Sequence, residues 1–190
     1  MGDESIQYDS IMENIILVGF MGTGKTAVAR EISRILEFPH LETDKMIVEK
    51  EKMSIPEIFA EKGEAYFRDV EHDMICEIYK ERQEKVVVCT GGGLPLQSRN
   101  REILRGCGYV VWLKTSAEET YERVKLNNER PLLQTADPLQ TIKDLMAERW
   151  PIYEGVSNFQ IETAGLNASE LASGIVDSAS YYFSQMQATQ

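Results

Sequence analysis

The sequence predicts an α/β protein built around a parallel sheet, and three observations carry this prediction. Short apolar runs typical of strands alternate along the chain with longer segments whose apolar residues keep helical spacing. The strand runs are continuously apolar, as expected when helices cover both faces of a sheet. The chain has 190 residues and is 43% hydrophobic, so one domain of ordinary size has enough apolar material for a core.

Five short runs are predicted as strands, the second of them more weakly than the others, and local signals mark the helices between them. The strand runs cover residues 15–18, 39–42, 86–89, 109–113 and 159–161. Helical spacing of apolar residues is found in segments 26–36, 70–78 and 171–182. A capping box at Ser54 begins a helix that ends at Gly63. A second capping box begins a helix that runs from Ser116 to about Leu126, and Asp137 begins a further helix. This order predicts right-handed crossovers, with ligands bound beyond the carboxyl ends of the strands.

Composition excludes several classes of protein. Acidic residues outnumber basic ones by 31 to 20 and the formal net charge is −11, so neither a nucleic-acid-binding face nor a membrane-binding surface is expected. The longest near-apolar run, residues 15–21, is too short to span a bilayer. The three cysteines are scattered without disulfide or metal-ligand spacing, which predicts a reducing, cytoplasmic location.

The first thirteen residues differ from the rest of the chain. They carry four acids and no Lys or Arg, which is the opposite of a secretory or transit segment. We predict a disordered acidic N-terminal extension over residues 1–13 and a single domain over residues 14–186. We also expect the protein to be a monomer.

Residues 19–26 read Gly-Phe-Met-Gly-Thr-Gly-Lys-Thr and fit the phosphate-binding pattern G-x-x-x-x-G-K-S/T at every position. The segment follows a predicted strand and opens a predicted helix, which is the context that this loop requires. Glycines let backbone N–H groups surround phosphates, and the helix N-terminus adds positive potential. We predict that Lys25 reaches the β- and γ-phosphates of ATP and that Thr26 ligates Mg²⁺. The predicted ATP-binding residues in this segment are Gly22, Thr23, Gly24, Lys25, Thr26 and Ala27.

The ends of two other predicted strands carry further candidates. Glu42 and Asp44 follow the second strand, where one carboxylate can orient metal-bound water and the other can accept the proton of a substrate hydroxyl. The alternative is a pair of solvated acids in a loop. The third strand ends without a carboxylate and is followed by Gly91, Gly92 and Gly93. These glycines predict close backbone approach to a small ligand, and the alternative is a flexible turn.

Three arginines beyond the phosphate loop are candidates for binding anions. Arg68 and Glu71 share a helical face, and the alternative is a surface ion pair. Arg130 lies in a polar stretch that predicts a mobile, cation-bearing lid at about residues 125–137, unless this is an ordinary surface loop. Arg149 lies near a predicted helix end, where a cation can also serve only the helix dipole.

In its motifs the chain resembles the shikimate kinases from residue 15 to about residue 163. The order is the phosphate loop, Glu42-Thr43-Asp44, Phe67-Arg68 with Glu71, glycines 91–93, Arg130-Pro131-Leu132-Leu133, and Arg149. The phosphate loop is generic, but the other elements in this order and spacing are highly specific.

The resemblance implies a fold and an activity. The fold is a three-layer α/β/α P-loop NTPase of the nucleoside-monophosphate-kinase type, with a five-stranded parallel sheet and a mobile lid. The activity is transfer of the ATP γ-phosphate to the 3-hydroxyl of shikimate, a step of aromatic amino acid biosynthesis. ATP and Mg²⁺ are the implied cofactors, and shikimate is the implied small-molecule partner.

The resemblance also implies a role for each matched residue. Asp44 would hold the shikimate hydroxyls and act as base, while Arg68 and Arg149 would bind the carboxylate. Lys25 and Arg130 would meet the ATP phosphates as catalytic cations. The supporting positions are Arg123 on adenine, the backbone of Gly91, Gly92 and Gly93 on substrate, Phe59 and Phe67 as pocket walls, and Glu71 orienting Arg68.

Two positions depart from the family pattern. Glu42 stands where the family usually has Asp, which keeps the charge on a longer side chain. Segment 163–166 has no cation where the family often places an arginine near adenine, so backbone is the candidate there. Two other functions stay open at this point: a related kinase such as a gluconate kinase, and a catalytically silent nucleotide-binding module.

Overall fold

The protein is built on five parallel strands that form one sheet. The computed structural model describes residues 13–80, 85–125, 133 and 135–188, so nearly all of the predicted acidic extension lies outside the described residues. The sheet order is β2-β3-β1-β4-β5. The strands are β1 (Asn14–Val18), β2 (His40–Glu42), β3 (Val87–Cys89), β4 (Gly108–Lys114) and β5 (Phe159–Glu162). The predicted α/β class with five parallel strands is confirmed.

Helices connect the strands in the described parts of the chain. They are α1 (Lys25–Leu36), α2 (Thr43–Glu51), α3 (Ile55–Lys80), α4 (Ser98–Cys107), α5 (Ala117–Val124), α6 (Pro138–Val156) and α7 (Ala168–Ala188). A short 3₁₀ helix, Leu94–Leu96, precedes α4. The three predicted caps form: Ser54 N–H donates to Glu57, Glu119 N–H to Ser116 and Gln140 N–H to Asp137.

The sheet has an apolar layer on each face. Ile15 and Leu17 of β1 pack in the layer that contains α1 and α7. Ile16 and Val18, which alternate with them, pack in the layer that contains α3, α4 and α6. Burial on both faces explains why β1, β3 and β4 are apolar along most of their length, whereas β2 and β5 at the sheet edges are not.

The predicted helix end at Gly63 is confirmed, because its backbone is non-helical, with φ 82°, and it separates the two parts of α3. Two other features of the helices differ from the prediction. Helices α2 and α4 were not predicted, because α2 buries only Thr43 and Ile47 and the buried face of α4 includes a polar Asn100. Helix α6 continues through Pro151 to Val156, so the expected helix end near Arg149 is wrong. The buried side chains of Tyr153 and Val156 extend its apolar face beyond the proline and offset the lost hydrogen bond.

The sheet order brings three loops together. β1 lies between β3 and β4, while β2 lies beyond β3 at the sheet edge. The connection after β1 leads to one side of the sheet and the connection after β3 leads to the other side. A crevice therefore opens at the carboxyl ends of β1 and β3. The loops after β1, β2 and β3 meet in this crevice, and the site residues predicted in these three loops lie there.

Among the described residues, no helix combines the length and apolar character that crossing a membrane would require.

Candidate active site

The phosphate loop turns around the amino group of Lys25. This side chain is 9% exposed, and its Nζ donates to the carbonyls of Gly19 and Phe20, each at 2.8 Å. The Thr23 hydroxyl donates to the same Phe20 carbonyl at 2.9 Å and closes the turn. Gly24 caps α1 with φ 87°, in the left-handed region that favours glycine. The ammonium group thus sits within the loop, at the N-terminus of a helix, where phosphate binding is predicted.

The other predicted nucleotide contacts lie around this loop. Ala27 is exposed on the first turn of α1. Arg123 of α5 donates from Nη1 to the Gly22 carbonyl at 3.0 Å, so the predicted adenine-side cation lies against the phosphate loop. Val124 of α5 also crowds Gly22, because a Cβ there would come within 2.9 Å of its side chain. Arg130 and most of the predicted lid lie outside the described residues, and their roles stay predictions.

Glu42 lies beside the predicted Mg²⁺ ligand. The Thr26 hydroxyl donates to Glu42 Oε2 at 3.0 Å, and Lys45 Nζ donates to Oε1 at 2.5 Å. Arg30 approaches the same carboxylate at 3.8 Å. Burial acts to raise the pKa of Glu42, but the hydrogen bonds from Lys45 and Thr26 outweigh it, so the pKa lies below its ordinary value. The longer side chain in place of the family Asp therefore still delivers a charged oxygen to Thr26.

The backbone of Gly91 separates two carboxylates. Its N–H donates to the Thr43 hydroxyl at 2.9 Å, which ties the loop after β3 to the start of α2. Asp44 occupies the first turn of α2, and Glu71 belongs to α3. A Cβ at Gly91 would overlap the Asp44 carboxylate and would lie 2.9 Å from Glu71 Oε1. A larger residue here would displace these carboxylates, which supports close backbone packing over a flexible turn.

The guanidinium group of Arg68 is held by two glutamates. Its Nη1 donates to Glu71 Oε2 at 2.5 Å, while Nε and Nη2 donate to Glu64 Oε1 at 3.2 and 2.8 Å. The guanidinium lies against Gly93, where any Cβ would overlap it. Arginine has five N–H donors, so two remain for a ligand carboxylate. Glu71 is buried, which favours an orienting role over a surface ion pair.

Glu71 has a strongly raised carboxyl pKa. Burial raises its pKa to about 7 from an ordinary value of 4.5; Arg68 opposes this rise and Asp44 adds to it. The folded protein therefore binds this proton more tightly than the unfolded chain does. The stabilisation from the protonated group is fully present below pH 4.5 and is lost as the pH rises through about 7. Below about pH 7 the protonated form of Glu71 is therefore favoured over the charged form, although the charged form interacts better with Arg68.

A Glu71→Gln variant is expected to reveal the stability that wild type loses when Glu71 is deprotonated. Glutamine does not titrate, so only the wild-type Tm should fall for this reason as the pH rises. The Tm of the variant minus that of wild type should therefore increase by about 5 °C between about pH 5 and about pH 8. Thermal unfolding followed by circular dichroism measures both proteins. The control is Glu77→Gln, which changes an exposed glutamate of the same helix. A Tm difference for Glu71→Gln that stays constant across this range would contradict the raised pKa.

Arg149 is a second guanidinium on the same side of the crevice. It is 6% exposed, and its Nε has no hydrogen-bond partner among the described residues. Its guanidinium lies 5.4 Å from the centre of the Phe20 ring and donates a hydrogen bond to the Tyr153 hydroxyl oxygen. The same hydroxyl donates to the Gly92 carbonyl at 2.7 Å. A buried cation with an unused donor favours an anionic partner, which supports ligand binding over a helix-dipole role.

Aromatic side chains border the Arg68 side of the site. The rings of Phe59 and Phe67 lie 4.9 Å apart, and Phe67 is buried. The Arg68 guanidinium lies 5.5 Å from the centre of the Phe67 ring. These contacts place both predicted pocket walls beside Arg68, which is predicted to bind the substrate carboxylate.

Sequence reasoning missed some residues that shape this arrangement. Glu64 and Tyr153 had no assigned role, yet they contact Arg68 and Arg149 respectively. Each stands four residues from its arginine on a helix, so helical spacing was an available signal. Thr43 had no such signal, because its bond to Gly91 joins residues 48 positions apart.

A comparison with protein families distinguishes between the hypotheses for the function of this site. The family model described as Shikimate kinase matches residues 21–180. The chain belongs to the shikimate kinase family. A shikimate kinase of Thermodesulfovibrio yellowstonii is 40% identical over 165 residues, which cover 87% of this chain and 94% of the relative.

Solved structures extend this family relationship to the fold. The shikimate kinase from Acinetobacter baumannii, solved in complex with shikimate, has a TM-score of 0.84 and 38% identity, covering 87% of this chain and 92% of that one. A gluconokinase from Sinorhizobium meliloti has a TM-score of 0.56 at 14% identity, covering 95% of this chain and 98% of that one. That second likeness shows only a shared fold. The predicted P-loop kinase fold class is thereby confirmed, and family membership favours a shikimate kinase over a gluconate kinase.

Proposed function

We propose that this chain phosphorylates the 3-hydroxyl of shikimate with ATP, giving shikimate 3-phosphate and ADP for aromatic amino acid biosynthesis. One observation carries the substrate assignment. Arg68 lies against Gly93, and Arg149 lies over the Phe20 ring of the phosphate loop. A planar guanidinium suits a carboxylate because it presents paired donors. The site thus has a carboxylate-binding side and a phosphate-binding side.

The proposed mechanism is positioning with charge neutralisation. Arg68 and Arg149 hold the substrate carboxylate, which turns its hydroxyls toward Asp44 at the start of α2. Asp44 orients the reacting hydroxyl and accepts its proton, while Lys25 stabilises the negative charge on the transferred phosphoryl group. Arg130 is proposed to reach the same phosphates from the lid, which also excludes water. The silent-module alternative is disfavoured because this cation and carboxylate set is complete in the sequence.

Mg²⁺ is part of the proposal, since the donors near the phosphate loop fit a hard cation. Thr26 and Glu42 present a hydroxyl and a carboxylate oxygen that lie 3.0 Å apart. Mg²⁺ prefers oxygen ligands and is usually held by few side chains together with substrate phosphates. Thr26 would bind it directly and Glu42 through water. When bound, the ion would neutralise charge on the ATP phosphates.

The remaining expectations concern the molecule in the cell. We propose a cytoplasmic monomer that uses shikimate as its small-molecule partner and binds neither nucleic acid nor membrane. The three cysteines have no disulfide partners, which suits a reducing compartment. The acidic net charge of −11 disfavours a polyanionic partner.

A coupled ADP-release assay with a panel of acids tests the function. We expect ATP- and Mg²⁺-dependent turnover with shikimate, and neither gluconate nor buffer alone should support comparable turnover. Turnover with gluconate but not shikimate would favour the hypothesis that the protein is a gluconate kinase. No turnover with any acid would favour the hypothesis that it is a catalytically silent nucleotide-binding module.

Arg149→Ala is expected to weaken shikimate binding by at least about tenfold, because loss of a charge-assisted hydrogen bond to a carboxylate costs about 1.5–3 kcal/mol. ATP affinity should change by less than about twofold, since Arg149 has no assigned phosphate contact. Isothermal titration with each ligand measures both constants. The control is Arg34→Ala, which removes an exposed arginine paired with Glu31. Equal loss of affinity for both ligands would overturn the carboxylate assignment.

A further inference from the structure

A polar cluster lies outside the substrate site, between α3 and α4. Cys76 and His72 stand one turn apart on α3, and Cys76 Sγ lies 3.6 Å from His72 Nε2. The other ring nitrogen, Nδ1, lies 2.7 Å from Oδ1 of Asn100 on α4. The proposed kinase reaction uses none of these three side chains.

The hydrogen bonds around Asn100 determine which nitrogen of His72 carries the proton. Asn100 is fully buried, and its Nδ2 donates to the Leu94 carbonyl at 2.8 Å. The amide oxygen therefore faces His72, and an oxygen can only accept a hydrogen bond. Neutral His72 must then carry its proton on Nδ1. Its lone pair on Nε2 points at the thiol of Cys76, ready to accept a proton.

Exposure distinguishes Cys76 from the other two cysteines. Cys89 and Cys107 are buried, whereas Cys76 is half-buried. Burial also raises the pKa of the Cys89 thiol, which disfavours its reactive thiolate. Only Cys76 therefore combines access for a small reagent with an oriented proton acceptor.

We propose that Cys76 is a thiol-modification site at which His72 acts as the base toward small disulfides. The Cys76 sulfur attacks one sulfur of the reagent and forms a new S–S bond, while the reagent's own S–S bond breaks and one thiolate leaves. The thiol proton passes to His72 Nε2. Asn100 is a positioning residue, because it selects the tautomer whose lone pair faces the sulfur.

The same hydrogen bonds connect this cluster to the loop of Gly91, Gly92 and Gly93, which we call the substrate loop. Leu94, which accepts from Asn100, begins the 3₁₀ helix directly after Gly93, and its N–H donates to the Gly91 carbonyl at 3.2 Å. A group attached to Cys76 would displace His72 from Asn100 and loosen the support of this turn. Resting on the proposed function, modification is expected to raise KM for shikimate more than KM for ATP.

Reaction of the full-length native chain with the aromatic disulfide DTNB, without substrate, tests the base. Release of the coloured thiolate gives the rate, and peptide mass spectrometry identifies the modified cysteine. We expect one fast phase at Cys76 that is absent in Cys76→Ala. His72→Gln, which keeps similar size but has no basic nitrogen, should slow this phase by at least about fivefold.

His40→Ala is the matched control, because it removes the other histidine of the chain and should leave the fast phase unchanged. A His72→Gln rate equal to that of wild type would overturn the proposal. Fast labelling at Cys89 or Cys107 in place of Cys76 would overturn it as well. Circular dichroism verifies that each variant is folded, and the wild-type labelling map tests the site even if a variant fails to fold.

The connection to the substrate loop has its own test. Methyl methanethiosulfonate adds a small S-methyl group, and we expect it to raise KM for shikimate at least about fivefold, with reversal by dithiothreitol. Cys76→Ala should keep wild-type turnover and show no response to the reagent. An unchanged KM after complete labelling would overturn the connection while leaving the labelling result and the kinase activity intact.

Discussion

Lys25→Ala is expected to lower kcat for shikimate phosphorylation by about a hundredfold to a thousandfold, as when one preorganised donor to a transition state is removed. The amino group of Lys25 is held inside the phosphate loop by two backbone carbonyls. Charge placed there in advance needs little reorganisation when the phosphoryl group is transferred. A steady-state ADP-release assay at saturating ATP and shikimate measures the effect.

The control for this variant separates charge in the loop from charge on the surface. Lys50→Ala removes an exposed lysine of α2 whose partner is Glu77, and it should keep wild-type kcat. Lys25→Ala leaves the carbonyls of Gly19 and Phe20 without this donor, so thermal unfolding should accompany the assay. A folded Lys25→Ala variant with more than about a tenth of wild-type kcat would contradict the role given to Lys25.

Asp44→Asn is expected to lower kcat by about a hundredfold or more, the usual contribution of a positioned general base. The amide has nearly the same shape as the carboxylate but cannot accept the hydroxyl proton. Shikimate binding should also weaken, while ATP binding should change little. Rapid-quench single-turnover kinetics measures the chemical step, and isothermal titration measures the two affinities.

A second readout links Asp44 to its neighbour across Gly91. The charge on Asp44 contributes to the raised pKa of Glu71, so the Asp44→Asn change should lower that pKa. The pH-dependent part of stability that Glu71 produces should then shift to lower pH. Asp73→Asn, on the exposed face of α3, is the control and should leave turnover unchanged. Near-wild-type turnover of Asp44→Asn would show that the base assignment is wrong.

Local patterns predicted most of the fold correctly. The strand runs were placed within about one residue. For β1, β3 and β4 the signal is strong, because a strand covered on both faces is apolar along most of its length. The predicted caps at Ser54, Ser116 and Asp137 all make their hydrogen bonds, since capping depends on residues only three apart. Helix α2 gave no comparable signal, because only two of its nine residues are buried and they form no stripe.

In the candidate site, too, local features could be predicted from the sequence, whereas contacts between distant residues could not. The phosphate loop could be located from the sequence because its residues are contiguous and its conformation is local. The purpose of Gly93 could not be derived in this way, because the group that excludes its side chain is the guanidinium of Arg68, 25 residues earlier in the sequence. The tautomer of His72 likewise depends on an amide from a different helix.

The sequence by itself determined the α/β class, the phosphate loop and the identities of the cations and carboxylates. These depend on short-range periodicity and on residue chemistry. Only the tertiary structure decided that Glu71 and Asp44 flank Gly91, that Glu64 shares Arg68, and that Tyr153 joins Arg149 to Gly92. The reason is physical: desolvation and charge interactions depend on distances through space, which the sheet order sets and sequence separation does not.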